Sequence, residues 1–371
     1  MTKLDFIFML VRSGLWHTHL DHFDMNPWEY KEVMVEGEKQ CVSGLITDCL
    51  KGNNMGLQKK CVIHMMKLQN ALEKKNKNLE DNVAKLARLF NDHNIDYVVV
   101  KGQTIAAFYP NPRHRVPGDI DFYIQLKDFD NVKSLLKNEW GVEIIDKSLY
   151  AQPKHLDFKY NNNEFEMHFH LALFSHPKHQ RLFDSLVNDT PRSKITIGGE
   201  EVCILSPTLN VFYTFVHLFQ HLRKLGVALR QLCDLAILLN HYHDDIDRMQ
   251  LVDILKQFDY QNAFTAFGSI LVDKLGLPEQ HFPLPITEKD RKRGNVILGD
   301  IVEYGNWGKY SRDVKKEISI KHSIQTACTL FSRYFKYYSL SPTENRAFVL
   351  YDVPKLFVGS VNDKVRRWCK G

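Results

Sequence analysis

The run Asp119-Ile120-Asp121-Phe122-Tyr123-Ile124-Gln125-Leu126 alternates residue by residue, with two carboxylates in one phase and Ile120, Phe122, Ile124 and Leu126 in the other. That is the period of a β-strand buried on one face, in which residues i and i+2 project the same way, about 6–7 Å apart. Asp119 and Asp121 therefore share a face, and two like charges so close repel unless something cationic sits between them. A pair of Mg²⁺ ions about 4 Å apart is the common solution in phosphoryl-transfer enzymes. Such a site needs a third carboxylate from a neighbouring strand, so the chain has to build a sheet around this segment.

The other strands are legible nearby. Ile95-Asp96-Tyr97-Val98-Val99-Val100 is short, β-branched and aromatic, and Lys101-Gly102 ends it. Residues 103–109 suit one or two helical turns before Pro110-Asn111-Pro112 breaks them, and 128–138 carries helical periodicity. Strand-like runs follow at 142–147, 155–160 and 164–170. The last two are joined by Asn161-Asn162-Asn163, good hairpin chemistry because asparagine tolerates positive φ. In Glu164-Phe165-Glu166-Met167-His168 the acids and the histidine share one face while Phe165 and Met167 point into a core. Glu166 is thus the candidate third carboxylate. Glu164 reads as a solvated hairpin end, and His168 either orients Glu166 or is a half-buried strand histidine.

A triphosphate needs its own cradle. Lys101-Gly102 lies between a strand and a helix start, where backbone N–H groups and the helix dipole favour an anion and glycine permits close approach. Arg113 and Arg115 approach the acidic strand from the preceding loop, and Arg115 is placed to neutralise phosphate or to pair with a carboxylate.

Residues 5–76 read as helical, 79–93 as an amphipathic helix, and almost everything after Pro207 as helices at 209–225, 227–242, 249–258, 262–275 and 317–338. The fold class expected is α+β, in three parts: a helical segment 1–78, an α/β core 79–207 and a helical domain 208–371. Glu73-Lys74-Lys75-Asn76-Lys77-Asn78 is expected to be a solvated helix face rather than a linker.

A net charge of +5 on 371 residues does not by itself indicate a nucleic-acid binder. The seven cysteines form no CxxC pair, so we expect reduced thiols in a cytoplasmic protein. No cleavable leader and no spanning segment of about 20 apolar residues is evident. His168, His170, His176 and His179, and the i, i+4 pair His217 and His221, raise a zinc site, but the pair lacks the glutamate of His-Glu-x-x-His and ordinary structural roles are expected for all six. Arg230 and Asp234, also i, i+4, are expected to form an intrahelical ion pair. The basic-apolar segment 353–368 is expected to dock on the chain's own helices, and the aromatic residues at 334–338 to pack in a core.

Strand, Lys101-Gly102, short helix, then Arg115-Val116-Pro117-Gly118-Asp119-Ile120-Asp121-Phe122-Tyr123-Ile124 resembles the glycine motif and Asp-x-Asp pair of the polymerase-β-like nucleotidyltransferases. More narrowly, the chain is similar to the bacterial family of uncharacterised nucleotidyltransferases. Glu164-Phe165-Glu166-Met167-His168-Phe169-His170 resembles that family's acidic-hydrophobic-His strand, and His217-Leu218-Phe219-Gln220-His221 with Arg230-Gln231-Leu232-Cys233-Asp234-Leu235 resembles its helical half. The resemblance covers most of the chain and is best over residues 81–239.

It implies a polymerase-β-like nucleotidyltransferase core, with Mg²⁺ or Mn²⁺ held by Asp119, Asp121 and Glu166. It further implies an NTP co-substrate bound through Lys101, Gly102, Gln103, Arg115 and Gly118, with His168, Arg230 and Asp234 as secondary candidates. Many members carry Gly-Ser or Gly-Gly where this chain has Gly102-Gln103, so the hydroxyl toward the terminal phosphates is missing and Lys101 or Gln103 is left to substitute. The implied reaction is transfer of NMP to an acceptor hydroxyl. The acceptor is unidentified, a small molecule or sugar being favoured over protein or RNA. The alternative is a catalytically silent nucleotide-sensing protein that retains the fold.

Overall fold

The computed structural model describes residues 3–304, apart from 22–23, 54, 145–154 and 225, together with residues 331–354. Four strands form the sheet that the alternating segments require: β1 (Tyr97–Val100), β2 (Ile120–Ile124), β3 (His155–Tyr160) and β4 (Asn163–His168), in the order β1-β2-β4-β3. β2 and β4 run parallel, and the two outer pairings are antiparallel. Asp121 lies opposite Val100 on one side and Glu166 on the other, and His155 lies opposite His168. Asn161 and Asn162 close the β3–β4 hairpin at φ 47 and 60, the pair of left-handed residues that a two-residue turn between twisted strands demands.

Helices α1 (Lys3–Trp16), α2 (Pro27–Lys39), α3 (Ser43–Gly52) and α4 (Lys59–Asp92) precede the sheet. Within it run α5 (Gly102–Ala106) and α6 (Phe129–Trp140); α7 (Pro177–Asp189) leads to a second hairpin, β5 (Ser193–Ile197) with β6 (Glu200–Ile204). Then come α8 (Pro207–Lys224), α9 (Leu229–His241), α10 (Arg248–Gln257), α11 (Gln261–Asp273) and α12 (Glu288–Tyr304). Local signals set the ends. Asn26 caps α2 through the N–H groups of Trp28 and Glu29 while the Glu29 carboxylate reaches back, and Gly141 ends α6 at φ 66.

The two faces of the sheet have different partners. Tyr97, Val99, Ile120, Phe122, Ile124, Phe158, Phe165 and Met167 form one core with Leu79, Val83, Leu86 and Phe90 of α4 and with α6. Val98, Val100 and Tyr123, on the opposite face, join a larger core built from α1–α3 and α8–α12. Each fully buried residue of this kind contributes about 1.5–3 kcal/mol. A one-residue slip of β2 would exchange Ile120, Phe122 and Ile124 for Asp121 and Tyr123, so burial pins the register that aims the carboxylates.

The α+β class holds. α4 runs unbroken for 34 residues, so the division expected at 78/79 falls inside one helix, and the first three helices share a core with the C-terminal ones. Residues 73–78 lie within α4. Of the strand expected at 142–147, residues 142–144 carry no strand and 145–147 lie outside the described residues. Most of the helix expected at 317–338, the segment after 354, Cys328 and Cys369 also lie outside them. The described cysteines, Cys41, Cys49, Cys61, Cys203 and Cys233, form no disulfide with one another, and no described helix is long and apolar enough to cross a membrane. Sequence periodicity missed α7, the β5–β6 hairpin and α12.

Candidate active site

Because β2 and β4 pair parallel with Asp121 opposite Glu166, these carboxylates stand side by side on the sheet face turned toward α8. Asp119 precedes β2 and lies near enough to Asp121 and Glu166 to feel their charges. Lys101 places Nζ 2.7 Å from Asp121 Oδ1, and His168 Nε2 lies 2.8 Å from the same oxygen and 3.2 Å from Glu166 Oε2. His168 is fully buried, Asp121 nearly so, and Glu166 is the more open member at 27% exposure. His168 thus lies against both carboxylates and is fully buried rather than half-buried.

The electrostatics follow from this crowding. Burial, then the charges of Asp121 and Glu166, push Asp119 up to about 6. Burial would raise Asp121 as well, but Lys101 and His168 outweigh it and hold that carboxyl well below the usual range. The hydrogen bond from His168 lowers Glu166. Lys101 is raised because Asp121 overcomes the burial penalty on its ammonium. Three carboxylates thus converge on one lysine and one histidine, an excess of negative charge that suits a divalent cation.

Backbone geometry brings Lys101 to this place. It sits at φ 57, ψ −148, a region that a non-glycine residue occupies only under strain of about 1–3 kcal/mol. Gly102 follows at φ 43, and a Cβ there would lie 3.3 Å from the Asp119 carbonyl. Glycine thus lets the β1–α5 turn press against the start of β2. Tyr213 of α8, fully buried and with no hydrogen-bond partner for its hydroxyl, is electrostatically coupled to Lys101. Nothing in the sequence signalled Tyr213.

Other expected site residues face elsewhere. Gln103 donates its amide to Asn76 on α4, at 3.1 Å to the carbonyl and 3.2 Å to Oδ1, because α5 turns that side chain away from the carboxylates. Arg115 is buried in a two-pronged pair with Asp234 of α9, Nε to Oδ1 and Nη2 to Oδ2 both 2.7 Å, and Tyr109 donates to the same Oδ1. With Asp234 so engaged, Arg230 turns Nη1 to the carbonyls of Val116 and Pro117, at 3.0 and 3.3 Å, in place of the intrahelical pair expected. Arg230 thereby steadies the loop that carries Gly118, where an added Cβ would lie 3.9 Å from that nitrogen. Arg113 pairs with Glu80 on α4, and Glu164 is exposed and paired with Lys159.

The six histidines for which structural roles were expected do not come together as one group. His170 pairs with Asp184, His179 with Glu344, and His176 caps α7; His217 and His221 stand with ring centroids 4.3 Å apart on α8. Among the described residues, one group offers metal-ligand atoms within 4.8 Å of each other: His155, Glu166 and His168. His155 was missed as a candidate, although hairpin register gives it: with Asn161-Asn162 as the turn, Tyr160 meets Asn163 and His155 meets His168. Two cavities of about 480 and 460 Å³ lie along the α4 lysines and behind α5, and neither is lined by the carboxylates.

The family model for uncharacterised nucleotidyltransferases matches residues 33–272. No curated protein matches the chain in sequence. Among solved structures, an antigenic nucleotidyltransferase-like protein from Paracoccidioides brasiliensis is 16% identical, covers 54% of this chain and 93% of its own, and superposes with a TM-score of 0.33.

Proposed function

The chain belongs to the family of uncharacterised nucleotidyltransferases, and from that premise we propose that it transfers a nucleoside monophosphate from an NTP to an acceptor hydroxyl. The observation that carries this reading is the convergence of Asp119, Asp121 and Glu166 on one sheet face beside Lys101. Asp119, Asp121 and Glu166 would hold a divalent cation, Mg²⁺ or Mn²⁺, which would supply positive charge against the triphosphate and the leaving pyrophosphate. Lys101 and His168 keep Asp121 ionised and fix its orientation. Gly102 gives the phosphates access to the backbone beside β2. The Arg115–Asp234 pair and Arg230 hold the 113–118 loop, and so set the position of Asp119 from behind.

In the reaction, the acceptor oxygen forms a bond to the α-phosphorus, the bond from that phosphorus to the bridging oxygen breaks, and pyrophosphate leaves with the electron pair. The hydroxyl proton is released to water. A net charge of only +5 favours a small hydroxyl-bearing acceptor or a sugar over a polyanion. Five described cysteines joined by no disulfide support a reducing compartment, the cytoplasm.

One observation favours the alternative of nucleotide sensing. Gln103 is committed to Asn76, so it does not replace the hydroxyl missing after Gly102. A pyrophosphate-release assay with each NTP, Mg²⁺ or Mn²⁺ and a panel of sugars and metabolites decides between them. Release that disappears in Asp121→Ala supports transfer. Tight NTP binding by calorimetry with no release for any acceptor supports sensing.

A further inference from the structure

We propose that the cation at Glu166 is also bound by imidazole nitrogen, from His155 and His168, so that the site selects Mn²⁺ or another nitrogen-accepting divalent ion over Mg²⁺. This rests on the proposed cation-dependent transfer reaction and specifies the ion it uses. The first observation is geometric. His155 heads edge strand β3 directly opposite His168 on β4, and Glu166 precedes His168 by two residues on the same face. The imidazole rings stand 5.1 Å apart, and one ligand atom from each of the three residues lies within 4.8 Å of the others. Small rotations about χ angles close such a triangle around one ion, since ligand atoms about 2.0–2.2 Å from a metal are themselves roughly 3–4 Å apart.

The second observation concerns His168 itself. Its Nε2 faces two carboxylates, Asp121 and Glu166, which only accept, so that nitrogen carries the hydrogen. Its Nδ1 is buried with no hydrogen-bond partner. A cation between Asp121 and Glu166 would take the place of the Nε2 hydrogen, leaving the Nε2 lone pair to the ion and the ring's hydrogen on Nδ1. Another polar contact in this group is His155 Nε2 to Asp157 Oδ1 at 3.4 Å.

Two imidazoles and a carboxylate suit Mn²⁺, Fe²⁺, Co²⁺ or Zn²⁺, whereas Mg²⁺ takes oxygen ligands. Mn²⁺ is the probe because it is paramagnetic and supports the chemistry expected of Mg²⁺. Electron spin-echo envelope modulation of the Mn²⁺-loaded full chain is expected to show ¹⁴N coupling. His155→Phe, on an exposed edge and checked for folding by circular dichroism, is expected to reduce the modulation depth. By calorimetry the same variant is expected to weaken Mn²⁺ binding while leaving Mg²⁺ binding unchanged. Bound Mn²⁺ with no nitrogen modulation in the wild-type chain overturns the inference and leaves the transfer reaction standing, and so does a depth unchanged in His155→Phe. No binding of any divalent ion overturns both.

Discussion

Truncating Asp234 to alanine removes the partner of Arg115 at a place where both groups are buried, with 4% and 7% of their side chains exposed. Two 2.7 Å hydrogen bonds and the one accepted from Tyr109 disappear together, and a guanidinium is left without compensation. Breaking a buried pair from one side costs about 3–5 kcal/mol, far more than a surface pair at about 0–1 kcal/mol. Arg115 Nη1 already has no hydrogen-bond partner, so the pair is incompletely satisfied even when intact. Replacing both groups with apolar residues, Arg115→Met with Asp234→Leu, is therefore expected to recover most of the loss. Urea unfolding followed by circular dichroism measures both, and an Asp234→Ala loss below about 1 kcal/mol refutes the reasoning. A double variant no better than the single one refutes it as well. The pH dependence has a definite sign. Burial would raise Asp234, but Arg115 outweighs it and lowers the carboxyl below its unfolded value. Its contribution is thus present above about pH 4 and is lost as pH falls below that, so the wild-type advantage over Asp234→Ala shrinks only in acid.

Two other perturbations probe the support beneath the loop before β2. A Cβ on Gly44 would lie 1.8 Å from the His114 carbonyl, so Gly44→Ala forces backbone apart and is expected to cost about 1–3 kcal/mol in thermal or urea unfolding. Gly52→Ala at the open end of the same helix is the control and should be nearly neutral. His114, held by Asp48 at 2.5 Å and Glu73 at 2.9 Å, is raised because those partners outweigh its burial. Its stabilisation is fully present below about pH 6.5 and fades as pH rises through the higher folded value, so the cost of His114→Gln, read by urea unfolding, should be larger at about pH 6 than at pH 9.

What the sequence revealed and what it hid have physical causes. A period of two carries the facing of Asp119, Asp121 and Glu166, because alternation is a local property and burial of Ile120, Phe122, Phe165 and Met167 enforces it. The hairpin turn at Asn161-Asn162 is equally local, and counting back from it reaches His155. Arg115 and Asp234 are 119 residues apart, so their pairing depends on how α9 packs on the loop, which no spacing rule contains. Gln103 stands beside Gly102 in the chain, yet the turn of α5 sends it to Asn76. The division expected at 78/79 falls after the Lys- and Asn-rich run 73–78, while the backbone of α4 continues through it because its buried face, from Cys61 to Phe90, never breaks period.

The most direct test follows the two ends of the nucleotide. The chain is incubated with Mg²⁺ or Mn²⁺, an acceptor panel, and NTP labelled at either the α- or the γ-phosphorus. The account predicts that the α-label enters the acceptor product, that the γ-label leaves in pyrophosphate, and that Asp119→Ala and Asp121→Ala abolish both. Label entering product from the γ-position, or α-label transfer that survives both substitutions, contradicts it.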